Sequence, residues 1–328
     1  MILILSTSEL ETSTDEVIVW LKKFNADFIR LNGDDIIDSF HFKFIDFKPV
    51  FYVEDKINDR IISSEEITTV WYRRKINKVY DAVCNLVPNN INEFRSILGI
   101  NTYHYNEMLS FYEIIEFTLK NVVWINKPMQ RYNKLDVLNR AIKYGIKVPQ
   151  SFIQNTAPLP VEKFITKPTT EVRVFNDDFN YYSMYTSEPK LKKEVFFPSL
   201  FQEKIEKEYE VRSFYLDGDF YSIAIFSQQN SKTKIDYRNI FYGSDDEHSF
   251  YNNCIYKLPE DIEQKLKKLM IDLDMKSGSI DLIRGIDGEY YFLEINPVGQ
   301  FGNVSDVGKF NLEKIIAEKL CFYDERKE

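Results

Sequence analysis

Apolar runs and helical spacing alternate through the first third of the chain. A continuous apolar run is typical of a buried strand, whereas apolar residues three and four positions apart are typical of one face of a helix. The predicted elements are strands at 1–6, 27–31, 50–53 and 68–72, and helices at 14–24, capped by Thr14 or Asp15, and at 92–119. This order opens with a β-α-β unit and predicts an N-terminal α/β domain over residues 1–120.

The pattern changes after residue 120. A short strand ending at Pro128 is followed by a helix that Gly145 and Pro149 terminate, and residues 151–200 are rich in strands. We expect a small central lobe over residues 121–200.

Two alternating segments dominate the last third, and each is centred on an Asp-Gly pair, at 217–218 and at 287–288. Asp-Gly is a preferred two-residue hairpin turn, and the segment between the hairpins has helical spacing. A C-terminal domain with an antiparallel sheet is predicted over residues 201–328.

The second hairpin predicts a metal site. If 287–288 is its turn, Asp281 lies opposite Glu294, and Asn296 continues the same face, while the other face is apolar. Two opposed carboxylates repel each other, so we expect positive charge between them. Oxygen donors without His or Cys suit Mg²⁺, although a solvated acidic face is the plain alternative.

Composition narrows the classes of function. The net charge is −9, which argues against nucleic-acid binding through a basic surface. The longest stretch without a charged residue has 12 residues, too short for a membrane span, and the N-terminus lacks a basic signal region. Three scattered cysteines predict neither disulfides nor zinc. We expect a cytoplasmic protein without nucleic-acid or membrane partners.

Nucleotide binding through a glycine-rich loop is also excluded. The chain has 11 glycines and contains neither a P-loop nor a dinucleotide fingerprint. A nucleotide would therefore need another kind of site.

The sequence does resemble a known superfamily. The motifs that carry the resemblance are Asn133-Lys134-Leu135, Phe164-Ile-Thr-Lys-Pro168, Phe201-Gln-Glu-Lys-Ile205, Glu210-Val-Arg212, Asp281 and Phe292-Leu-Glu-Ile-Asn-Pro297. In their order they resemble the ATP-grasp ligases. Glu294 to Phe301, together with Val70-Trp-Tyr-Arg-Arg74, resembles the peptide-maturing enzymes of graspetide (microviridin-like) pathways, in particular the grasp-with-spasm branch.

The resemblance implies an α/β (α+β) ATP-grasp fold with a Rossmann-like pre-ATP-grasp domain in front of it. It implies an enzyme that uses ATP and Mg²⁺ to activate Asp or Glu side chains of a ribosomal precursor peptide as acyl phosphates. Thr or Ser hydroxyls or Lys amines of that peptide then form macrocyclic esters or amides. A homodimer is implied only by the resemblance.

The resemblance also assigns roles to residues of this chain. The metal ligands would be Asp281, Glu294 and Asn296. The nucleotide-binding residues would be Lys134, Lys167, Gln202, Glu203, Ile205 and Glu210, of which Glu210 would accept the ribose hydroxyls. Arg212 and Arg238 would bind the acceptor carboxylate or the transferring phosphate, because a planar guanidinium fits either group, and a structural ion pair is the alternative for both.

Three hypotheses about function remain open at this stage. Besides a peptide macrocyclase, the same frame suits a ligase that adds free amino acids to a protein or peptide (RimK-like), or a noncatalytic peptide-binding module. The intact acidic set argues against the last. For Arg73-Arg74, contact with an acidic group of the peptide and pairing with the acidic surface of the protein are equally open.

Overall fold

The computed structural model describes most of the chain, as two compact units. The described residues are 1–7, 11–55, 58–74, 91–128, 132–157, 161–169, 173–175, 181–183, 186–189, 194–228 and 252–326. The first unit comprises Met1–Gln130 with Asn311–Glu328, and the second comprises Arg131–Phe310. The division into three domains stays a prediction, and the final segment belongs to the N-terminal unit.

The elements of the first unit up to residue 130 are β1 (Ile2–Leu5), α1 (Thr12–Lys23), β2 (Phe28–Leu31), α2 (Gly33–Ser39), β3 (His41–Ile45), β4 (Lys48–Asp55), β5 (Arg60–Ser63), β6 (Thr69–Tyr72), α3 (Ile91–Thr118) and β7 (Val123–Ile125). They form a parallel sheet with the strand order β2-β1-β6-β7 and an antiparallel sheet with the order β3-β4-β5. The predicted β-α-β opening is confirmed. Strand β3 was not predicted, because it is largely exposed and lacks a clear alternation.

Helix α1 begins two residues before the predicted caps. Thr14 is fully buried within the helix, and its hydroxyl donates to the carboxylate of Glu11, as does that of Ser13. The residue that precedes the helix is therefore Glu11, and the prediction of Thr14 or Asp15 as the cap was wrong.

The second unit contains the central strands and the C-terminal hairpins. Its elements are α4 (Lys134–Lys143), β8 (Ser151–Thr156), β9 (Phe164–Lys167), β10 (Arg173–Phe175), β11 (Tyr181–Ser183), β12 (Val195–Glu203), β13 (Lys207–Leu216), β14 (Asp219–Phe226), β15 (Asn252–Tyr256), α5 (Glu260–Asp272), β16 (Ser277–Gly285), β17 (Tyr290–Asn296) and α6 (Gly302–Gly308). Two antiparallel sheets organise it, with the orders β8-β12-β9 and β15-β14-β13-β16-β17.

The five-stranded sheet buries one face against helices α4 and α5. Val211, Ile280, Leu282 and Phe292 point to this side and join the apolar stripes of the two helices in one core. Because side chains alternate along a strand, the residues beside them point to the opposite face, and in β17 the extra residue Leu293 places Glu294 there although it lies only two positions from Phe292. The predicted charged residues of β13, β16 and β17 lie on that opposite face.

The two hairpins close differently. In the first, Leu216 pairs with Asp219, so the turn consists of the two predicted residues, and both of them have positive φ. In the second, β16 ends at Gly285 and β17 starts at Tyr290, and the register shifts by one residue beyond Asp281. The predicted pairing of Leu282 with Leu293 was therefore wrong, because Leu282 pairs with Phe292.

The last helix, α7 (Leu312–Glu325), packs against α1 in the first unit. Its Asp324 accepts a hydrogen bond of 2.6 Å from the amino group of Met1. No described helix is long and apolar enough to cross a membrane.

Candidate functional site

Two carboxylates lie side by side at the open end of the second hairpin. Asp281 pairs with Glu294 across β16 and β17, as predicted, and Asn296 follows two residues later on the same face. The side chains of Asp281 and Glu294 are 16% and 13% exposed, and the Asn296 amide donates to Asp281 at 3.3 Å. The oxygen-donor set predicted from the sequence is thus assembled by the fold.

Three cations converge on this pair. Lys134 Nζ is 3.2 Å and Lys167 Nζ 3.7 Å from Oε2 of Glu294. Arg212 lies directly opposite Asp281 in the next strand and donates from Nη1 at 3.0 and 3.3 Å to its two carboxylate oxygens. The positive charge that opposed carboxylates require is therefore supplied by side chains of the chain itself. We call Lys134, Lys167, Arg212, Asp281, Glu294 and Asn296 the hairpin cluster.

Local structure explains how Lys134 and Lys167 are positioned. The Asn133 side chain accepts hydrogen bonds from the backbone N–H groups of Leu135 and Asp136, so α4 begins at Lys134. Lys167 is the last residue of β9 and pairs with Leu200 of the central strand β12. One lysine thus comes from a helix N-terminus and the other from a strand end.

Arg212 also forms a hydrogen bond with the segment that follows β17. Its Nη2 donates to the Gln300 carbonyl at 3.4 Å, and the Ser279 hydroxyl donates to the same oxygen at 3.1 Å. Gly299 has φ +49°, and a Cβ there would be 2.8 Å from the Ser279 nitrogen. Phe301 is fully buried against Phe214, with ring centroids 5.4 Å apart. The predicted binding of a substrate carboxylate or phosphate by Arg212 stays a prediction.

Glu210 is held by two partners on its own sheet. It forms an ion pair with Lys207, and its Oε1 also accepts a 2.9 Å hydrogen bond from the Ser227 hydroxyl. A strict alternation would place residues 207 and 210 on opposite faces, but the register shifts between Lys207 and Tyr209, which lets the two side chains meet. Sequence reasoning missed Lys207 and Ser227 because such a bulge has no clear sequence signal.

The side chains of Gln202, Glu203 and Ile205, which were predicted to contact adenine, lie in different environments. Gln202 is 1% exposed, and the strand register places it on the same face of β12 as Leu200, the partner of Lys167. Glu203 is exposed on the opposite face, where its carboxylate accepts a 3.2 Å hydrogen bond from the Gln150 backbone. Ile205 is half-buried in the connection to β13. The structure brings the side chain of Gln202, and not that of Glu203, to the face of Lys167.

The donor chemistry of the hairpin cluster suits a hard cation. Two carboxylates and one amide are oxygen ligands, and Mg²⁺ is usually bound by one or two carboxylates together with substrate phosphates. Within the described residues, no group of three His, Cys, Asp or Glu side chains could hold a metal ion by itself. Arg238, which the sequence suggested as a second guanidinium, lies outside the described residues.

A second charged group lies in the first unit, where β1 and β6 end. Arg73 donates to Glu11 at 2.9 Å and to Ser13 at 3.0 Å, and Arg74 donates to the other oxygen of Glu11 at 2.7 Å. Burial alone would raise the pKa of Glu11, but the two guanidinium groups lower it to about 2. Burial lowers the pKa of Arg73 to about 10, against the opposing effect of Glu11. We call Glu11, Ser13, Thr14, Arg73 and Arg74 the Glu11 cluster.

The fold is similar to solved structures over almost the whole chain. A Chryseobacterium gregarium RiPP-associated ATP-grasp ligase, solved with ADP and a leader and core peptide, is 27% identical, with a TM-score of 0.76 over 98% of this chain and 96% of that one. The macrocyclase MdnC from Microcystis aeruginosa MRC, bound with precursor peptide MdnA, is 22% identical, with a TM-score of 0.74 over 98% and 99%. The ATP-grasp ligase PsnB, complexed with a precursor variant, Mg and ADP, is 13% identical, with a TM-score of 0.69 over 98% of both chains.

No protein-family model and no curated protein matches the sequence. The structural similarity therefore shows the fold of the chain. The predicted α/β fold and the resemblance to peptide-maturing ATP-grasp enzymes are confirmed, and the chain has the ATP-grasp fold.

Proposed function

We propose that this chain is an ADP-forming ligase that activates Asp or Glu side chains of a ribosomally made precursor peptide as acyl phosphates. Hydroxyls of Thr or Ser, or amines of Lys, in the same peptide then displace the phosphate and close macrocyclic esters or amides. The observation that carries the proposal is the convergence of three cations on two opposed carboxylates.

This arrangement suits phosphoryl transfer. Such a reaction requires little covalent work from the protein and depends on positioning and on stabilising negative charge. When bound, ATP supplies the phosphoryl group and Mg²⁺ neutralises part of its charge. Asp281, Glu294 and Asn296 would hold the metal.

The remaining residues would bind and orient the nucleotide and peptide. Lys134 and Lys167 already lie within 3.7 Å of Glu294, so phosphate oxygens shared with the metal would come within their reach. Glu210, held by Lys207 and Ser227, would accept the ribose hydroxyls. Arg212 keeps Asp281 in position and, with Arg238, would bind the carboxylate or the transferring phosphate.

Mass spectrometry tests the proposal. The protein is incubated with ATP, Mg²⁺ and a precursor peptide encoded beside its gene, and the mass of the peptide is measured. Each linkage is expected to remove the mass of one water, with one ADP released per linkage. An unchanged mass with a precursor of this kind would contradict the proposal.

The same measurement separates the amino-acid-adding alternative. A ligase of that kind would increase the mass of its substrate by one amino-acid residue, and ATP consumption would depend on the added amino acid. The similarity to RiPP ligases favours the macrocyclase.

We further propose a cytoplasmic enzyme that acts as a homodimer and binds neither nucleic acid nor membranes. Light scattering coupled to gel filtration tests the dimer, since the protomer mass is 39.0 kDa. A mass of one protomer at micromolar concentration would overturn the proposed dimer.

A further inference from the structure

The side-chain amide of Gln202 is buried on the face of the β8-β12-β9 sheet that also carries Lys167. Gln202 is 1% exposed, and its Nε2 donates a 3.0 Å hydrogen bond to the hydroxyl of Ser151. Its Oε1 is also buried and has no hydrogen-bond partner among the described residues. A buried acceptor without a partner is unfavourable, so a ligand that donates to it gains affinity.

The orientation of this amide follows from its neighbours. The Ser151 hydroxyl has one hydrogen and donates it to the Pro149 carbonyl at 2.9 Å. It can therefore only accept from Gln202, which requires the NH₂ group of Gln202, and not its oxygen, to face Ser151. The chain of donors from Gln202 through Ser151 to Pro149 leaves Oε1 as the group that remains for a ligand.

The position of Gln202 indicates what that ligand is. Gln202 pairs with Ser151 in β8 and with Ile165 in β9, and Lys167 lies two residues beyond Ile165 on the same face. Lys167 in turn reaches Glu294 of the hairpin cluster. A nucleotide with its phosphates at Lys167 would extend along this face, within reach of Gln202.

We propose that Ser151 sets the base specificity of the nucleotide site by fixing the acceptor of Gln202 toward the base. This inference rests on the proposed function. Adenine carries an amino group at position 6, which donates to Oε1. Guanine and hypoxanthine carry an oxygen there, which would face Oε1 as a second acceptor. A site built around one hydrogen bond rejects a base that leaves its buried group unpaired.

Ser151 is thus a positioning residue, and its removal has a distinctive consequence. In Ser151→Ala the amide loses the acceptor that holds its NH₂ group, so it can rotate and present a donor to the oxygen of guanine. The preference for adenine should then weaken through tighter binding of guanine, which a general loss of structure would not produce.

The experiment measures the binding of ADP, GDP and IDP with Mg²⁺ by titration calorimetry. The wild type is expected to bind ADP at least about tenfold more tightly than GDP or IDP. Ser151→Ala should reduce this ratio by about tenfold, chiefly through increased GDP affinity. Ser151→Thr, which keeps the hydroxyl, should retain the ratio.

Two further variants test the acceptor itself. Gln202→Leu should weaken ADP binding without strengthening GDP binding, whereas Gln202→Glu keeps an acceptor and should still prefer ADP. The matched control is Ser199→Ala, because Ser199 lies on the opposite face of β12 and its hydroxyl donates to the Phe197 carbonyl at 2.7 Å. This control should leave the ratio unchanged.

The outcomes separate this inference from the proposed function. If the wild type prefers ADP and closes macrocycles, but Ser151→Ala keeps the wild-type ratio, the role of Ser151 is overturned and the function stands. If the wild type binds no nucleotide, both are overturned. A drop in the affinity for all three nucleotides by the same factor in Ser151→Ala would also reject the role, because it indicates a structural effect.

Discussion

The two charged clusters both pair carboxylates with cations but differ in how completely they are enclosed. In the Glu11 cluster, one carboxylate, 1% exposed, meets two guanidinium groups and two hydroxyls. In the hairpin cluster, two partly exposed carboxylates share three cations from three separate elements. The first arrangement ties β6 to the start of α1, whereas the second keeps charge accessible at a sheet face.

This difference indicates that the burial of a charged group decides whether it mainly stabilises the fold or remains available to a ligand. A buried ion pair loses its hydration, and removal of one partner leaves the other charge uncompensated. The hairpin cluster is partly exposed and retains water as an alternative partner, so its members can exchange partners with a metal or a phosphate. Stability should therefore depend on the first cluster and turnover on the second.

The largest expected effect is on folding. Glu11→Gln leaves two guanidinium groups without their carboxylate and should lower the free energy of unfolding by about 3–5 kcal/mol. Asp15→Asn is the matched control, because Asp15 in the first turn of α1 is an exposed carboxylate that pairs with Arg30 of β2. The control should cost less than about 1 kcal/mol in urea unfolding. Equal losses in both variants would contradict the comparison.

The next effect is on turnover. Glu294→Gln should slow macrocyclisation by about 100-fold or more, because it removes a charge that positions the metal and the phosphates. Its free energy of unfolding should fall by less than that of Glu11→Gln, because the change also relieves the repulsion between two opposed carboxylates. The control is Glu289→Gln, an exposed position in the turn of the same hairpin. Rates are measured from the mass loss of the peptide, and a wild-type rate for Glu294→Gln would refute the assigned role.

A backbone substitution sharpens how the hairpin cluster is held. Gly299→Ala places a Cβ on a residue with positive φ and close to the Ser279 nitrogen. It should cost about 2 kcal/mol in unfolding free energy and slow turnover through displacement of Gln300 from Arg212. Gly302→Ala, where a Cβ meets nothing within 4 Å, is expected to change the unfolding free energy by no more than about 0.5 kcal/mol. The two variants are compared by urea unfolding and by rate, and equal effects would contradict this account.

The effect that is smallest for each step of the measurement is a dependence on acid pH, at most about 1.4 kcal/mol per pH unit. The pKa of Glu11 is lowered from 4.5 to about 2 in the folded protein. The stability that its charge contributes is complete above pH 4.5 and is lost as the pH falls toward 2, by at most about 1.4 kcal/mol per pH unit. Urea unfolding of the wild type and Glu11→Gln should therefore converge over this range. A constant difference would show that ionisation of Glu11 is not the cause.

Much of the site could be predicted from local pattern. The pairing of Asp281 with Glu294 was predicted from a two-residue turn, and it holds because the register shift beyond Asp281 compensates for a turn that is one residue longer. The position of Lys134 follows from the capping side chain of Asn133. What failed depended on irregular backbone. The shift beyond Asp281 changed the partner of Leu282, and the bulge before Tyr209 brought Lys207 to Glu210. Neither shift has a residue signature, since each depends on packing across the sheet.

The sequence by itself determined the chemical character of this protein: which strands carry carboxylates, which face is apolar, and that neither a P-loop nor a dinucleotide fingerprint occurs in the chain. These properties follow from residue type and from the short periods of strands and helices. Tertiary structure alone decided that Arg73 and Arg74 share Glu11, that Lys134 and Lys167 share Glu294, and which way the Gln202 amide faces. Such choices join residues far apart in the chain, so they depend on how the elements pack and on which polar groups remain to be satisfied.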